Sequence, residues 1–216
     1  MPELNIQIAN ARVVPFAAVP MLAFQLQIGN AAPDEYIHTI ALRCQIQIEV
    51  TRRSYAPQEQ KRLLDLFGHP ERWGKTLRNL LWTHTSVIVP AFEGSSTVAD
   101  MNVPCTFDFT VASTKYFEGL AGGEIPLLML FSGTIFYGSL ESPLQVAPIS
   151  WEQEARYKLP VQMWREMMDT YYPNRVWINL HRDAFERLYL YKVEHGIPTL
   201  EQALEQVLSS EEGVKP

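Results

Sequence analysis

The sequence predicts an α+β protein, an antiparallel β-sandwich followed by a helical C-terminal region. Two observations carry this. Through the first two-thirds of the chain, apolar residues recur at every second position, the period of a half-buried strand. Beyond Trp151 the spacing changes to the 3.6-residue period of helices. Strands first and helices after is an α+β pattern, and immunoglobulin-like sandwiches are the nearest fold analogy for the long opening strands. We expect one domain over residues 1–216. Its sandwich portion is 1–150, with one short inserted helix, and its helical portion is 151–216.

In chain order, Phe24, Leu26 and Ile28 alternate with Gln25 and Gln27. Asn30 to Asp34, with Pro33, reads as a turn. Leu42, Cys44, Ile46, Ile48 and Val50 then alternate with Arg43, Gln45, Gln47 and Glu49, so the first set faces a core and the second faces water. Pro57 opens a short helix with Leu63, Leu64 and Phe67 as its stripe and Gly68 at its end. Residues 80–89 form a strand, and Cys105, Phe107, Phe109 and Val111 mark another. Residues 127–137 are apolar on both faces, as in a central strand covered on both sides. Residues 144–149 pair back onto it. Pro160 opens a helix, Pro173 and Asn174 end it, and residues 176–180 are extended. A second helix holds Phe185, Leu188 and Tyr189 and stops at Gly196 and Pro198. Thr199 caps a third with Leu200, Ala203, Leu204, Val207 and Leu208.

Composition excludes several functions. The net charge is −6, and the densest basic stretch, Arg52, Arg53, Lys61, Arg62, Arg72, Lys75 and Arg78, is interleaved with Glu59, Asp65 and Glu71. That reads as a solvated face, and nucleic acid is not an expected partner. The opening residues lack a signal peptide's basic and apolar runs, and no apolar run is long enough to span a membrane. Cys44 and Cys105 form no CxxC motif and fall on apolar strand faces, which suits packing in a reduced, cytoplasmic protein.

Motifs for chemistry are missing. The five histidines form no HxH, HExxH or HxxxH, so no metal or cofactor is expected. His84, between Trp82 and Ser86 on a strand, is the one pocket candidate. The glycines of residues 119–123 precede a strand, whereas a phosphate cradle needs a helix behind it. Ser132-Gly133 lies within a strand, where the glycine permits close packing.

The most unusual feature is aromatic. Trp151, Tyr157, Trp164, Tyr171, Tyr172, Trp177, Tyr189 and Tyr191 crowd the last third. In the helix after Pro160, Val161, Trp164, Met167, Met168 and Tyr171 form one stripe. Met163, Arg165 and Tyr172 lie outside it or at its edge, and a methionine and a tyrosine beside an arginine is the composition of an adaptable partner surface. The competing reading is that residues 185–191 cover Met163.

The segments LRCQIQIEVTRRSYAPQEQKRLLDLFGHPERWGKTLRNLLWTH, GEIPLLMLFSGTIF and LPVQMWREMMDTYYP resemble a family of small uncharacterised bacterial proteins encoded near uptake-type nickel–iron hydrogenase genes. The resemblance runs from about Phe24 to Leu208. It implies an accessory role beside a metalloenzyme and carries no functional residues with it. The expected function is thus a non-enzymatic accessory or interaction protein for hydrogenase maturation or complex assembly, with a hydrogenase subunit or maturation factor as partner. The alternatives are a small-ligand-binding β-sandwich and an enzyme with a dispersed site. A pocket of convergent polar groups favours the alternatives; an exposed apolar feature favours the first reading.

Overall fold

Alternation of apolar and polar residues builds eight strands among the described residues: β1 (Leu4–Val13), β2 (Met21–Asn30), β3 (Ile37–Ile48), β4 (Leu80–Val89), β5 (Ser96–Pro104), β6 (Glu124–Tyr137), β7 (Gln145–Pro148) and β8 (Glu154–Pro160). The structure, a computed structural model, describes residues 2–106, 111–139, 143–175 and 180–212. All pairings are antiparallel. One sheet has the order β1-β2-β5. The other runs β4-β3-β6, and the far edge of β6 is divided: β8 pairs with its first half and β7 with its last residues. The sheets do not close into a barrel, although β4 and β5 approach where the Thr85 hydroxyl donates to the Asn102 carbonyl at 2.8 Å.

The period of two dictates the core. Ile40, Leu42, Cys44, Ile46 and Ile48 of β3 are buried with Leu22, Phe24, Leu26 and Ile28 of β2. Arg43 is exposed, and Gln45 and Gln47 are half-exposed. Aromatic rings fill the centre. Phe24 meets Trp82 and Tyr157 edge-on at 6.3 and 5.8 Å, and Trp82 meets Phe117 and Trp164 at 5.1 and 6.4 Å. Such pairs add about 0.5–1.5 kcal/mol each beyond area burial.

Three short helices, α1 (Pro57–Arg62), α2 (Leu64–Phe67) and α3 (Trp73–Thr76), lie between β3 and β4. Pro57 occupies the first turn of α1, where its missing N–H costs nothing. α4 (Val111–Gly119) precedes β6, and α5 (Val161–Tyr171) follows β8. These elements belong to one compact unit, Met1–Arg175. The second unit, Val176–Pro216, contains α6 (Arg182–Glu194) and α7 (Leu200–Glu212). The Thr199 hydroxyl accepts from Gln202 N–H at 3.1 Å and caps α7.

Several expectations need correction. The strand expected at 105–111 is displaced: β5 ends at Pro104, Val111 begins α4, and Phe107 and Phe109 lie outside the described residues. Alternation in β3 stops at Ile48, because the chain turns there and buries Glu49 as well as Val50. The short helix breaks at Leu63, which is buried with Phe67, while Leu64 points out. β6 is central, but its outer face is not sealed: Leu128, Leu130 and Phe136 are only half-buried. Helical spacing begins at Val161, and β8 occupies part of the stretch read as helical. Trp177 and the extended piece at 176–180 fall mostly outside the described residues.

Replacing Ile46 by Ala is expected to cost on the order of 2–5 kcal/mol in chemical denaturation, as deletion of fully buried branched carbons does. Replacing the exposed Arg43 by Ala is expected to stay within about 0.5 kcal/mol of the parent.

Candidate functional site

The glycine loop at 119–123 is a structural joint. Every carbonyl from Leu120 to Glu124 that a cradle would leave free, Ala121 aside, has a partner within the chain. Arg165 Nη2 donates to Leu120 O at 2.6 Å. Arg53 donates through Nη2 to Gly122 O at 2.6 Å and through Nη1 to Glu124 O at 2.8 Å. The first N–H of α5, that of Val161, donates to Gly123 O at 2.9 Å. The loop's Ala121 N–H is taken by Glu59 Oε1 at 2.7 Å.

Glu59 and Arg53 form the centre of this joint, 2.6 Å apart, with Glu59 buried and the Arg53 side chain only 10% exposed. The reading of Arg53 and Glu59 as part of a solvated charged face is therefore corrected. Burial raises the Glu59 carboxyl, but N–H donors from Ala121 and Ala56 and the Arg53 guanidinium outweigh it and hold the group below its ordinary value. Beside the pair, the Tyr55 and Tyr116 hydroxyls meet at 2.9 Å, and Tyr55 donates to Val50 O.

The C-terminal end of α5 performs a different task. Tyr171 reaches the loop joining β1 to β2. Its hydroxyl donates to Val14 O at 2.7 Å and accepts from Ala17 N–H at 2.8 Å. Between those residues stands Phe16, fully exposed and with φ of 58°. The left-handed region is rare for a bulky residue and costs roughly 1–3 kcal/mol. The loop reads Val14-Pro15-Phe16-Ala17-Ala18-Val19-Pro20, without one polar side chain, and Pro15 and Ala18 are exposed beside Phe16. An aromatic ring is thus held in water by a strained backbone that Tyr171 clamps. No titratable side chain lies in this loop, so it can bind but not transfer protons. The sequence signal was the uncharged run at 13–24.

The residues singled out from sequence are placed as follows. Met163 is half-buried and packs against the sandwich core. Arg165 is engaged by Leu120 O. Tyr172 is half-buried at the end of α5. The structure brings these three to one helix without making them a free surface. His84 is exposed on β4 and lines a concavity on the outer face of the β4-β3-β6 sheet. Cys44 and Cys105 are free and buried, and burial pushes both thiols up to about 12. Among the described residues no group of three or more His, Cys, Asp or Glu is placed to hold a metal, and no helix is long and apolar enough to cross a membrane. In the second unit Phe185 and Tyr189 stack at 6.2 Å on α6, and both are exposed.

A family model for DUF6084, a family of unknown function, matches residues 1–216. The chain belongs to that family. No curated relative matches it. Among solved structures it is similar to a protein assigned as ApaA from Bordetella pertussis, at 12% identity, covering 73% of this chain and 93% of that chain with a TM-score of 0.30.

Two outcomes follow from the joint. Replacing Glu59 by Ala is expected to destabilise by about 3–5 kcal/mol, because Arg53 is left buried without its counter-charge. The pH dependence has a definite sign. A carboxyl whose folded value is depressed contributes stability above its unfolded value, and that contribution is lost as pH falls through the folded value. Melting temperature followed from neutral to acid pH is therefore expected to fall more steeply in the parent than in Glu59→Gln.

Proposed function

We propose that this chain is a non-enzymatic accessory protein that docks on a protein partner through the β1–β2 loop, with Phe16 as the anchor. The observation that carries this reading is the exposed Phe16 ring on strained backbone, held from both sides by one tyrosine hydroxyl. Strain of this kind persists where surrounding structure fixes it, and it accompanies functional positions. A preformed loop loses little freedom on binding, and buried aromatic anchors dominate interface energetics. The absence of charge from 13 to 24 suits an apolar pocket on the partner.

The resemblance to proteins encoded near uptake-type nickel–iron hydrogenase genes supports a hydrogenase subunit or maturation factor as that partner, and a cytoplasmic location with it. Membership of DUF6084 over the whole chain is compatible with such a role.

Phe16→Asn separates binding from stability, because asparagine tolerates the left-handed region that phenylalanine does not. The variant is expected to be as stable as the parent or more stable by up to about 1 kcal/mol. Recovery of hydrogenase subunits or maturation factors from the native host, measured by affinity purification and mass spectrometry, is expected to be lost. Equal recovery of those proteins by parent and variant would sink the reading. Tyr171→Phe, which keeps the Phe16 ring but removes both clamping bonds, is expected to weaken recovery without abolishing it.

A further inference from the structure

A second surface, independent of the Phe16 loop, lies on the outer face of the five-stranded sheet. Arg43 sits on the central strand β3, and the register places Ser86 of β4 opposite it on one side and Ser132 of β6 opposite it on the other. The next row holds Gln45 between His84 and Leu130. Directly opposed side chains in such a sheet have Cβ atoms about 4.5–5.5 Å apart, so the three members of each row are within reach of one small group. These six residues line a concavity of about 460 Å³, a size that suits small-molecule ligands.

The electrostatics are unusual for a sheet face. Opposite charges placed across neighbouring strands stabilise a sheet face. The other two strand arginines of this unit have carboxylate partners: Arg12 meets Asp100 at 2.6 Å, and Arg156 is flanked by Glu49 and Glu154. Arg43 has no ion pair among the described residues, and no Asp or Glu lines the concavity. The side chains of Gln45, His84, Ser86 and Ser132 likewise make no hydrogen bond among the described residues. The result is one uncompensated guanidinium between two free hydroxyls, on a chain whose net charge is −6. Its planar fork matches two oxygens of one group, and the flanking hydroxyls can donate to the same group. Leu130 supplies an apolar wall for a carbon skeleton.

We propose that this sheet face binds a small molecule through a single oxyanion group, carboxylate or phosphate, with Arg43 as its counter-charge and Ser86 and Ser132 as flanking donors. Gln45 and His84 line the side on which the remainder of the ligand lies. The site is a binding site and involves no chemical step.

The test uses the full chain, uniformly labelled with nitrogen-15, titrated separately with inorganic phosphate and with acetate at constant ionic strength, and with chloride as the control. Expected is a saturable shift of backbone amides centred on Arg43, Ser86 and Ser132 with one or both oxyanions, at concentrations below about 10 mM. The arm that saturates at lower concentration assigns the group. Arg43→Gln is expected to weaken that binding at least about tenfold, because a charge-assisted contact is lost. Ser86→Ala with Ser132→Ala weakens it less, and Arg43→Lys retains part of it by keeping charge without the fork. Melting temperatures of the variants, whose changes are all at exposed positions, report whether each is folded. No saturation with either oxyanion, shifts equal to those with chloride, or unchanged binding in folded Arg43→Gln each overturns the proposal. Loss of partner recovery by Phe16→Asn bears on the loop alone, so the two readings fail separately.

Discussion

The buried pair of Arg53 and Glu59 is the constraint on which the rest of this unit depends. α1, α2 and α3 are four to six residues long, far too short to persist by helix propensity alone. They stay in place because Glu59 reaches out of α1 to the Ala121 N–H, while Arg53 grips the carbonyls of Gly122 and Glu124. Gly119 fits closely against the insertion: a Cβ there would sit 2.7 Å from Leu63 Cδ2, so the buried Leu63 side chain would have to shift to admit one. Two charges withdrawn from water are retained only where hydrogen bonds compensate them: both Glu59 oxygens and both Arg53 Nη atoms have partners, while Arg53 Nε has none, so the pair favours the one arrangement of insertion, loop and strand that supplies those bonds.

From that joint a continuous set of contacts leads to the surface. β6 leaves the loop as the central strand, and α5 is tied back to the loop by Arg165 and by the Val161 N–H. At the far end of α5, Tyr171 fixes the backbone around Phe16. Trp164 and Met167 hold the middle of the helix in the core. The two exposed features are opposite in chemistry. The loop is apolar and lacks any charge, whereas the sheet face offers a cation and hydroxyls but no carboxylate. Proteins that combine such surfaces on separate elements can engage two different things without either site constraining the other.

Much of the sandwich was legible because its signal is local. The alternation in β3 named its inward residues correctly, and Pro57, Pro160, Pro173 and Gly196 marked helix boundaries by their own backbone chemistry. What was not legible depends on contacts distant in sequence. Arg53 and Glu59 look like surface charges because both types usually are; only the arrival of residues 120–124 buries them. Arg165 was read from its spacing as lying off the apolar stripe and open to a partner, but a carbonyl 45 residues away engages it. The Phe16 loop escaped notice because an exposed aromatic and a buried one are spelled alike, and the hydroxyl that distinguishes them comes 154 residues later. β8 was read as the start of the helical portion, since Glu154, Arg156 and Lys158 disguise an edge strand as a polar approach to a helix.

The divided edge of β6 has an evolutionary consequence. β7 and β8 each hold only part of that strand, and the changeover lies near Gly133, where φ is 151° and a Cβ would stand 2.1 Å from the Ala41 carbonyl oxygen. The Gly133 carbonyl accepts from Ile149 N–H, and Phe131 N–H donates to Gln153 O, so the connecting turn is pinned at both of its ends. The turn itself carries Trp151, 87% exposed. Extra residues inserted there would lengthen the turn without shifting the register of either flanking strand. Lineages of this fold are therefore free to elaborate this corner, and length variation among family members should concentrate between residues 149 and 153.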